Sequence, residues 1–314
     1  MLLQLEDVSK TYKVGTFGTK ELLAVNHVSF DVAKGEVVSL IGESGSGKST
    51  IGKMILKLIR SNGGTITYDG KDLSLLQGNE MKDYYSHVQG VFQDPFSSYN
   101  PIFKADRLFS IIRDEYYPHV HADEWKAKLD KALKSVGLDP NQVINKYPHQ
   151  LSGGQLQRFL IARALLLDIQ FLVADEIISM LDASTRIDVL NLLAELKKTS
   201  NLSILFITHD LSLANYISER AVILYRGCVM EIGLTEKIFN NPQHPYTKML
   251  MASVPRLDKK WKNLETKPQE MQPDIMKGCA YYDRCAEVSN DCAKTRPEFV
   301  EVEKDHFVAC TRYQ

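Results

Sequence analysis

A glycine-rich turn, GESGSGKST at residues 42–50, narrows the folds open to this chain of 314 residues more than any other segment. It follows the apolar run VVSLI and precedes a helical pattern that begins near Thr50. Strand, glycine-rich loop and helix in that order are the setting of a phosphate-binding loop, in which backbone N–H groups and the positive end of the helix face an anion. The segment therefore predicts an α/β fold that binds a nucleoside triphosphate.

The residue types at the end of this loop indicate its chemistry. Lys48 is placed to reach the β- and γ-phosphates, and Ser49 to offer its hydroxyl to Mg²⁺. The loop residues predicted to contact the nucleotide are Gly42, Ser44, Gly45, Gly47, Lys48, Ser49 and Thr50. A plain glycine- and serine-rich turn is the alternative, which the flanking strand and helix patterns disfavour.

Two acidic residues close a second apolar run, FLVADE at residues 171–176. Open α/β sheets bind ligands at the carboxyl ends of their strands, and this run delivers Asp175 to such an end. We predict that Asp175 organises Mg²⁺ and that Glu176 orients or deprotonates the attacking water. Two solvated acids are the alternative, which the phosphate loop upstream disfavours.

A second candidate anion site lies in HQLSGGQLQRFLIARALL, residues 149–166. Ser152, Gly153 and Gly154 precede a helix whose first turn presents free N–H groups. One chain needs only one γ-phosphate site. The second is explained if this surface caps a nucleotide held by another subunit.

With these segments the sequence resembles the ABC ATPases, whose signature LSGGQ stands at residues 151–155. Other elements of that family follow in order, and the resemblance runs from the first residue to the region of residue 233. They are Tyr12, Gln93 in GVFQDP, Asp182 after SML, and His209 in FITHD. Strand packing for Tyr12, a polar loop position for Gln93 and a strand-end histidine at 209 are the ordinary alternatives.

The resemblance implies a head-to-tail dimer that sandwiches two ATP molecules. It implies a phosphate-loop core with an antiparallel β-subdomain and a helical subdomain around residues 94–167. Tyr12 would stack on adenine, Glu176 would activate water, and His209 would stabilise the transition state at the γ-phosphate. The Mg²⁺ contacts it implies come from Ser49, Gln93 and Asp175, and further ATP contacts from Ser152, Gly153, Gly154, Gln155 and Asp182.

One position departs from the family pattern. Proline usually follows the catalytic glutamate, and here that position is Ile177. Because proline fixes φ near −65°, we expect a less rigid turn at this point. Glu176 and Asp182 are intact, so an active ATPase is still expected.

The chain is expected to serve transport rather than nucleic acid. Its 38 basic and 39 acidic residues give a net charge of −1, which leaves no overall basic excess for nucleic acid. The interval between Lys48 and Ser152 suits a β-subdomain and a helical subdomain but not a long inserted coiled coil. A soluble, non-transport ABC ATPase is the alternative from another class. No apolar run is long enough to span a membrane and the first residues lack a secretory signal, so a cytosolic chain is expected.

Further motifs resemble the ATPase subunits of oligopeptide/dipeptide importers, and more the second ATPase of such systems than the first. These are VFQDPFSSYNP at 91–101, NPQHPYTKMLMASVP at 241–255, and a tail with four of the five cysteines. Peptide is the first expectation for the cargo, while Tyr99 and Met180 lean toward importers of β-linked oligosaccharides, and nickel importers are a further alternative.

The resemblance also implies a place in the cell and a set of partners. These are two membrane permease chains, a sister ATPase in a heterodimer and an extracellular solute-binding protein, with this chain peripheral on the cytoplasmic side of the membrane. Residues 1–240 would form the ATPase domain and 241–314 a C-terminal extension, with a polar linker over 256–277.

The cysteine tail predicts a metal site. Cys279, Cys285, Cys292 and Cys310 lack the closely spaced pairs of zinc ribbons, while their number matches a [4Fe–4S] cluster. Iron–sulfur is therefore favoured over zinc, and the resembling family carries the same four-cysteine pattern, with a cluster in some members. Four packed thiols are the ordinary alternative. A structural staple is the expected role, and Cys228 is expected to be an ordinary residue.

Overall fold

The computed structural model describes residues 1–14, 20–253 and 277–314. All but the last residue of the linker predicted over 256–277 lies outside these ranges. The described chain divides into two compact units, Met1–Leu75 with Leu205–Gln314 and Leu76–Ile204. We call them the phosphate-loop unit and the signature unit.

The strands are β1 Leu3–Val14, β2 Lys20–Val32, β3 Val37–Ile41, β4 Gly63–Tyr68, β5 Lys71–Asp72, β6 Val88–Val91, β7 Phe171–Asp175, β8 Ser203–Thr208, β9 Arg220–Tyr225, β10 Cys228–Leu234, β11 Phe299–Glu303 and β12 His306–Ala309. The helices are α1 Lys48–Ile55, α2 Gly78–His87, α3 Arg107–Tyr116, α4 Ala122–Ser135, α5 Pro140–Val143, α6 Gly153–Leu165, α7 Ala183–Ser200, α8 Leu211–Ile217, α9 Thr235–Asn240 and α10 Pro245–Ala252. The predicted α/β class is confirmed.

The phosphate-loop unit contains two sheets. The first has the order β2-β1-β4-β5, and its pairs are antiparallel. The second runs β11-β12-β10-β9-β3-β8, with β3 and β9 parallel. Every residue of β3 and of β8 is buried, as expected of strands covered on both faces.

The hairpin predicted at residues 221–233 is confirmed as β9 and β10. Its turn is Arg226-Gly227, and both residues have positive φ, 44° and 79°. Such a turn matches the twist of the two strands and favours glycine at its second position.

The C-terminal residues extend the second sheet of the phosphate-loop unit. Strand β12 pairs with β10, with Glu231 opposite Val308, and β11 pairs with β12 at the edge. Between these two strands, Nε2 of His306 in β12 lies 2.6 Å from Oε1 of Glu231 in β10, and both side chains are fully buried. Glu231 also accepts the N–H groups of Gln243 and His244 at 2.9 Å. A buried carboxylate with three donors is well compensated, so this pairing fastens the C-terminal strands to the sheet.

In the signature unit, β6 and β7 pair in parallel and helices supply the remaining core. The helix predicted at residues 123–137 is confirmed as α4, with Trp125 and Leu133 buried. Gly137 follows it at φ 71°, a left-handed conformation that glycine adopts at helix ends. Phe109 of α3 and Phe159 of α6 are packed with ring centroids 5.1 Å apart.

Of the helices within the described ranges, none is long and apolar enough to cross a membrane.

The side chain of His244 is buried at the start of α10, with 1% of it exposed. Its ring nitrogen Nδ1 accepts the N–H of Tyr246 at 3.0 Å and caps α10. Burial lowers the pKa of His244 to about 4, with Glu231 opposing and Lys248 adding to the shift. His244 gains its proton near pH 6.5 in the unfolded chain but only near pH 4 in the folded chain. The contribution of neutral His244 to the free energy of unfolding is therefore fully present above pH 6.5 and is lost as the pH falls from 6.5 toward 4.

We therefore expect protonation of His244 in the unfolded chain to lower the free energy of unfolding by on the order of 1 kcal/mol when the pH is lowered from about 7.5 to about 5.5. Urea denaturation at the two pH values measures this loss. His244→Asn is the matched variant, because asparagine keeps a capping oxygen but does not titrate. An equal loss in the wild type and in the variant would contradict the assignment.

Candidate functional site

The phosphate loop joins β3 to α1 as predicted, and its backbone is wedged against neighbouring strands. A Cβ on Gly42 would lie 2.1 Å from the carbonyl oxygen of Leu224, and one on Gly47 would lie 2.3 Å from that of Ala24. Gly47 also has φ 102°, which L-residues with side chains rarely adopt. Only glycine fits at either position.

Lys48, the first residue of α1, lies over the loop. Its side chain is 5% exposed. Its Nζ donates to the carbonyl oxygens of Gly42 at 2.7 Å and Glu43 at 2.9 Å. The ammonium is therefore held beside the first two residues of the loop, whose N–H groups are predicted to bind phosphates. Ser49 and Thr50 follow in the first turn of α1.

Three supports of this loop were not predicted from the sequence. The N–H of Gly227, in the β9–β10 turn, donates to the carbonyl oxygen of Ser46 at 2.9 Å. The N–H of Glu43 donates to the hydroxyl of Tyr246 at 3.1 Å. The Glu43 carboxylate receives both terminal nitrogens of Arg284, at 2.8 and 3.1 Å. Tyr246 lies in the segment NPQHPY and Arg284 in the Cys-rich tail, and no local sequence signal pairs either segment with the loop.

The two other predicted residues of this unit stand on strands or at their ends. Tyr12 is half-buried on β1, and Lys10 Nζ lies 5.4 Å from the centre of its ring. His209 is exposed directly after β8. The next residue, Asp210, caps α8 by accepting the N–H groups of Ser212 and Leu213. That cap fixes the direction of the backbone just past His209.

In the signature unit, two predicted Mg²⁺ residues come to one edge. Strands β6 and β7 are parallel, with Val91 opposite Ala174. Gln93 follows β6 and Asp175 ends β7, so both lie at the carboxyl edge. Asp175 is 6% exposed while Gln93 is exposed.

Glu176 begins a tight turn at the end of β7. Its φ is 50°, a left-handed value for a residue with a side chain. The N–H and hydroxyl of Ser179 both donate to its carbonyl oxygen, at 3.1 and 2.9 Å. Ile177 and Ile178 are buried at 1% and 2% exposure. At the position where the family usually has proline, an apolar anchor and two hydrogen bonds close the turn.

The signature LSGGQ forms the N-terminus of α6. The Ser152 hydroxyl accepts the N–H of Gln155 at 3.2 Å, and the Gln155 side chain accepts the N–H of Ser152 at 2.9 Å. This reciprocal capping box satisfies two N–H groups of the helix end. A Cβ on Gly154 would lie 3.1 Å from the Thr185 side chain, so the small residue allows α6 to approach α7 closely.

Helix α6 also holds the loop that carries Gln93. Gln157, 1% exposed, donates to the carbonyl oxygen of Phe92 at 3.3 Å. Arg163 donates to that of Gly90 at 2.9 Å. The signature helix and the predicted Mg²⁺ loop are thus one hydrogen-bonded assembly.

Asp182 is the N-cap of α7. Hydrogen bonds from the Ser184 hydroxyl and from the N–H and hydroxyl of Thr185 hold the pKa of Asp182 well below its ordinary value. The carboxylate is exposed and stays ionised. The carboxylate that is predicted to contact ATP is thus also the one that caps α7.

The four tail cysteines belong to one small module of the phosphate-loop unit. The N–H of Cys279 donates to the carbonyl oxygen of Cys292 at 2.8 Å. Burial raises the pKa of Cys279 to about 12 and that of Cys285 to about 11. Burial also opposes ionisation of Cys292, but hydrogen bonds from Ser289 and Thr311 outweigh it and lower the Cys292 pKa. In the part of the chain that the structure describes, no group of three or more His, Cys, Asp or Glu side chains is arranged to hold a metal ion, so the iron–sulfur prediction is not confirmed.

Cys228 lies outside this module in sequence. It is buried, and its sulfur accepts the side-chain N–H of Asn26 at 3.4 Å. Arg296 donates to the side-chain oxygen of the same Asn26 at 3.2 Å. Cys228 is a packed core residue in this setting.

Two family models match the chain. One describes the ABC transporter and matches residues 25–179. The other describes the C-terminal region of oligopeptide/dipeptide transporters and matches residues 230–292. The second match reaches the first three tail cysteines.

Curated relatives match along the whole chain. The oligopeptide transport ATP-binding protein AppF of Bacillus subtilis is 40% identical over 324 residues, covering 99% of this chain and 97% of its own. OppF of Haemophilus influenzae, with the same description, is 38% identical over 323 residues, with the same coverages.

Solved structures share the fold. The ATP-binding cassette MJ0796, determined as a dimer in a post-hydrolysis state bound to ADP and Pi, is 29% identical with a TM-score of 0.67, covering 74% of this chain and 99% of its own. The protein cbiO1 of Clostridium perfringens, part of the ABC transporter complex cbiONQ, has a TM-score of 0.65 at 24% identity, covering 76% of this chain and 91% of its own.

The capping box gives a prediction for Ser152. Ser152→Ala should lower the free energy of unfolding by about 1 kcal/mol, because the first turn of α6 loses its side-chain acceptor. Ser152→Asn should keep most of that stability, since asparagine also caps. Chemical denaturation of the two variants measures the difference, and equal stability of the alanine variant and the wild type would refute the cap.

Proposed function

The chain belongs to the ABC transporter ATPases, in the branch that carries the oligopeptide/dipeptide transporter C-terminal region, and on that basis we propose that it powers the import of peptides through a membrane permease. The observation that carries this proposal is the presence of both family regions in one chain. Relatives described as oligopeptide transport ATP-binding proteins match over 99% of its length. Its reaction is the hydrolysis of ATP.

We propose that the phosphate loop binds the triphosphate and that the signature unit supplies the hydrolytic groups. Lys48 would neutralise β- and γ-phosphate charge, and Ser49 would direct its hydroxyl to Mg²⁺. Asp175 and Gln93, at one carboxyl edge, would complete the magnesium contacts. Mg²⁺ would supply charge neutralisation at the phosphates.

Glu176 is the proposed acceptor of the proton from the attacking water. Its backbone is fixed by the Ser179 hydrogen bonds, which supports a set position for the carboxylate. His209 would donate to the γ-phosphate, and Tyr12 would stack on the adenine. Together these residues position water and phosphate and hold charge where it develops.

The proposed active assembly is a head-to-tail dimer. The N-terminus of α6, where Ser152 is exposed and Gly153 and Gly154 are half-buried, would cap the nucleotide of the other subunit. We propose a sister ATPase as that subunit, two permease chains as membrane partners and a solute-binding protein outside. The chain would then be peripheral on the cytoplasmic side of the membrane, with residues 1–240 as the ATPase domain and 241–314 as its extension.

Exposed apolar residues support a permease contact. Phe96, Ile102 and Phe103 are 47%, 70% and 39% exposed in the segment after Gln93. They fall in the proposed helical subdomain, residues 94–167. Neighbouring exposed apolar residues often mark protein contacts, and here they follow the residue proposed to contact Mg²⁺.

Peptide is preferred over the oligosaccharide cargo. Tyr99 is one of the two residues, with Met180, that lean toward β-linked oligosaccharides, and its hydroxyl donates to the carbonyl oxygen of Leu156 at 3.4 Å inside the signature unit. Burial raises the pKa of Tyr99 above its ordinary value. Packing against α6 accounts for this tyrosine without reference to any cargo.

For the tail we propose a [4Fe–4S] cluster on Cys279, Cys285, Cys292 and Cys310, with zinc as the lesser alternative. Four thiols in one small module fit the ligand number. Within this module the N–H of Cys279 donates to the carbonyl oxygen of Cys292 at 2.8 Å, and the Cys292 sulfur lies 3.1 Å from the hydroxyl of Thr311, the residue after Cys310. Since no ligand group for a metal is formed among the described residues, loading would require the thiols to approach one another. The cluster would act as a staple for the module.

Glu176→Gln tests the hydrolytic assignment. The variant should bind ATP but hydrolyse it at least about a hundredfold more slowly, because the amide cannot accept the proton. It should also accumulate as a nucleotide-bound dimer. Phosphate release and size-exclusion chromatography with ATP measure the two effects.

Lys48→Ala serves as the control for that experiment, since it should lose nucleotide binding as well as turnover. Wild-type turnover by Glu176→Gln would remove Glu176 from the proposed role. A wild-type protein that neither binds nor hydrolyses ATP would refute the function itself.

The tail is tested by its metal content. Protein purified without oxygen should contain about four irons and four acid-labile sulfides per chain. Cys285→Ser should lose them, while Cys228→Ser, which alters a cysteine outside the module, should retain them. Zinc in place of iron would change the metal, and a metal-free wild type would leave four packed thiols.

A further inference from the structure

An ion pair joins the cysteine tail to the phosphate loop. Arg284 ends a short 3₁₀ turn, Tyr282–Arg284, directly before Cys285. Its Nη1 lies 2.8 Å from Glu43 Oε2, and its Nη2 lies 3.1 Å from Glu43 Oε1. This is the two-point geometry in which arginine binds a carboxylate most specifically.

Glu43 is held at three points. Its carboxylate meets Arg284, its N–H meets the Tyr246 hydroxyl at 3.1 Å, and its carbonyl oxygen accepts Lys48 Nζ at 2.9 Å. It is the second residue of the loop, between Gly42 and Ser44. The path of the loop at this point is therefore fixed from α10, from the tail and from the lysine itself.

The carboxylate of Glu43 is negative, as is the proposed triphosphate ligand. A carboxylate on a loop that receives a triphosphate repels it unless a cation compensates the negative charge. Arg284 is that cation, and the Tyr225 hydroxyl, 3.4 Å from its Nη1, helps to orient it. The side chains of Arg284 and Glu43 are 29% and 38% exposed, so solvent and salt screen the pair in part.

We propose that Arg284 is a positioning residue for nucleotide binding, which acts by neutralising Glu43 and holding it away from the phosphates. This inference rests on the proposed binding of ATP by the phosphate loop. It gives the tail a role in the ATP site of its own chain, in addition to the proposed staple. The effect is electrostatic, so it grows with the charge of the nucleotide and falls with salt.

The experiment compares Arg284→Gln, Glu43→Gln and the double variant in the full chain, with ATPγS and ADP titrated by calorimetry at about 50 and about 300 mM salt. Arg284→Gln should weaken ATPγS binding about five- to tenfold at the lower salt, a modest coupling that suits a partly exposed pair. The loss should be smaller for ADP and smaller at the higher salt. Glu43→Gln should restore the double variant to within about twofold of the wild type, because the uncompensated charge is gone.

The matched control is Lys237→Gln, which removes the same charge from a side chain of similar exposure. Lys237 pairs with Glu303 of the tail at 2.9 Å and donates to the carbonyl oxygen of Lys304 at 2.7 Å, but does not bind Glu43. It should leave nucleotide affinity unchanged. A general loosening of the tail would weaken binding in this control as well, and would not be relieved by Glu43→Gln.

Three results would overturn the proposal. One is an Arg284→Gln affinity within about twofold of the wild type, and another is a double variant as weak as Arg284→Gln. The third is weaker binding by Glu43→Gln alone, which keeps the test valid even if Arg284→Gln does not fold. Each of these is read against a wild type that binds ATPγS, whereas a wild type that binds none would refute the ATP-site proposal as well.

Discussion

The close approach of the phosphate loop to two neighbouring strands is the constraint on which the candidate site depends. At Gly42 and Gly47 the backbone passes so near the carbonyl oxygens of Leu224 and Ala24 that a Cβ would overlap them, at 2.1 and 2.3 Å. The loop is consequently shaped by its neighbours as much as by its own sequence. The β9–β10 turn lies against it through Gly227 and Ser46. Any change that moves this hairpin therefore alters the shape of the turn predicted to receive phosphate.

The sequence predicted those parts of the site that depend on local chemistry. The loop glycines, the strand that ends at Asp175 and the helix that begins with LSGGQ each carry their signal within a dozen residues, since hydrophobic period, glycine and capping residues act over short distances. The S-x-x-Q spacing of Ser152 and Gln155 is also the pattern of a capping box. The prediction made from these residues, however, is an anion site alone. Contacts across the chain carry no such signal. Glu43 and Arg284 are 241 positions apart, and nothing beside either residue indicates the other.

At Ile177, burial and hydrogen bonds restrict the turn after Glu176 in place of a proline ring. Proline would restrict the backbone after the glutamate through its ring. Here Ile177 and Ile178 are buried at 1% and 2% exposure, and Ser179 binds the Glu176 carbonyl oxygen through both its N–H and its hydroxyl. Burial of two branched side chains and two hydrogen bonds restrict the same turn by different means. The expectation of a looser turn rests on the missing ring, and these contacts, which a single sequence does not show, act in the opposite direction.

The tail is better understood as part of the phosphate-loop unit than as an appendage. Tyr281 packs with Tyr225 and Tyr246, with ring centroids 5.2 Å away in each case, and Tyr246 is the residue whose hydroxyl accepts the Glu43 N–H. Three residues after Tyr281, Arg284 reaches the same glutamate by its side chain. The aromatic cluster therefore sets both the backbone and the side-chain support of Glu43. Because Cys285 follows Arg284 directly, a change at the cysteines that shifts this turn also shifts the guanidinium. The proposed staple at the cysteines and the proposed support of the phosphate loop would both depend on this one packing arrangement.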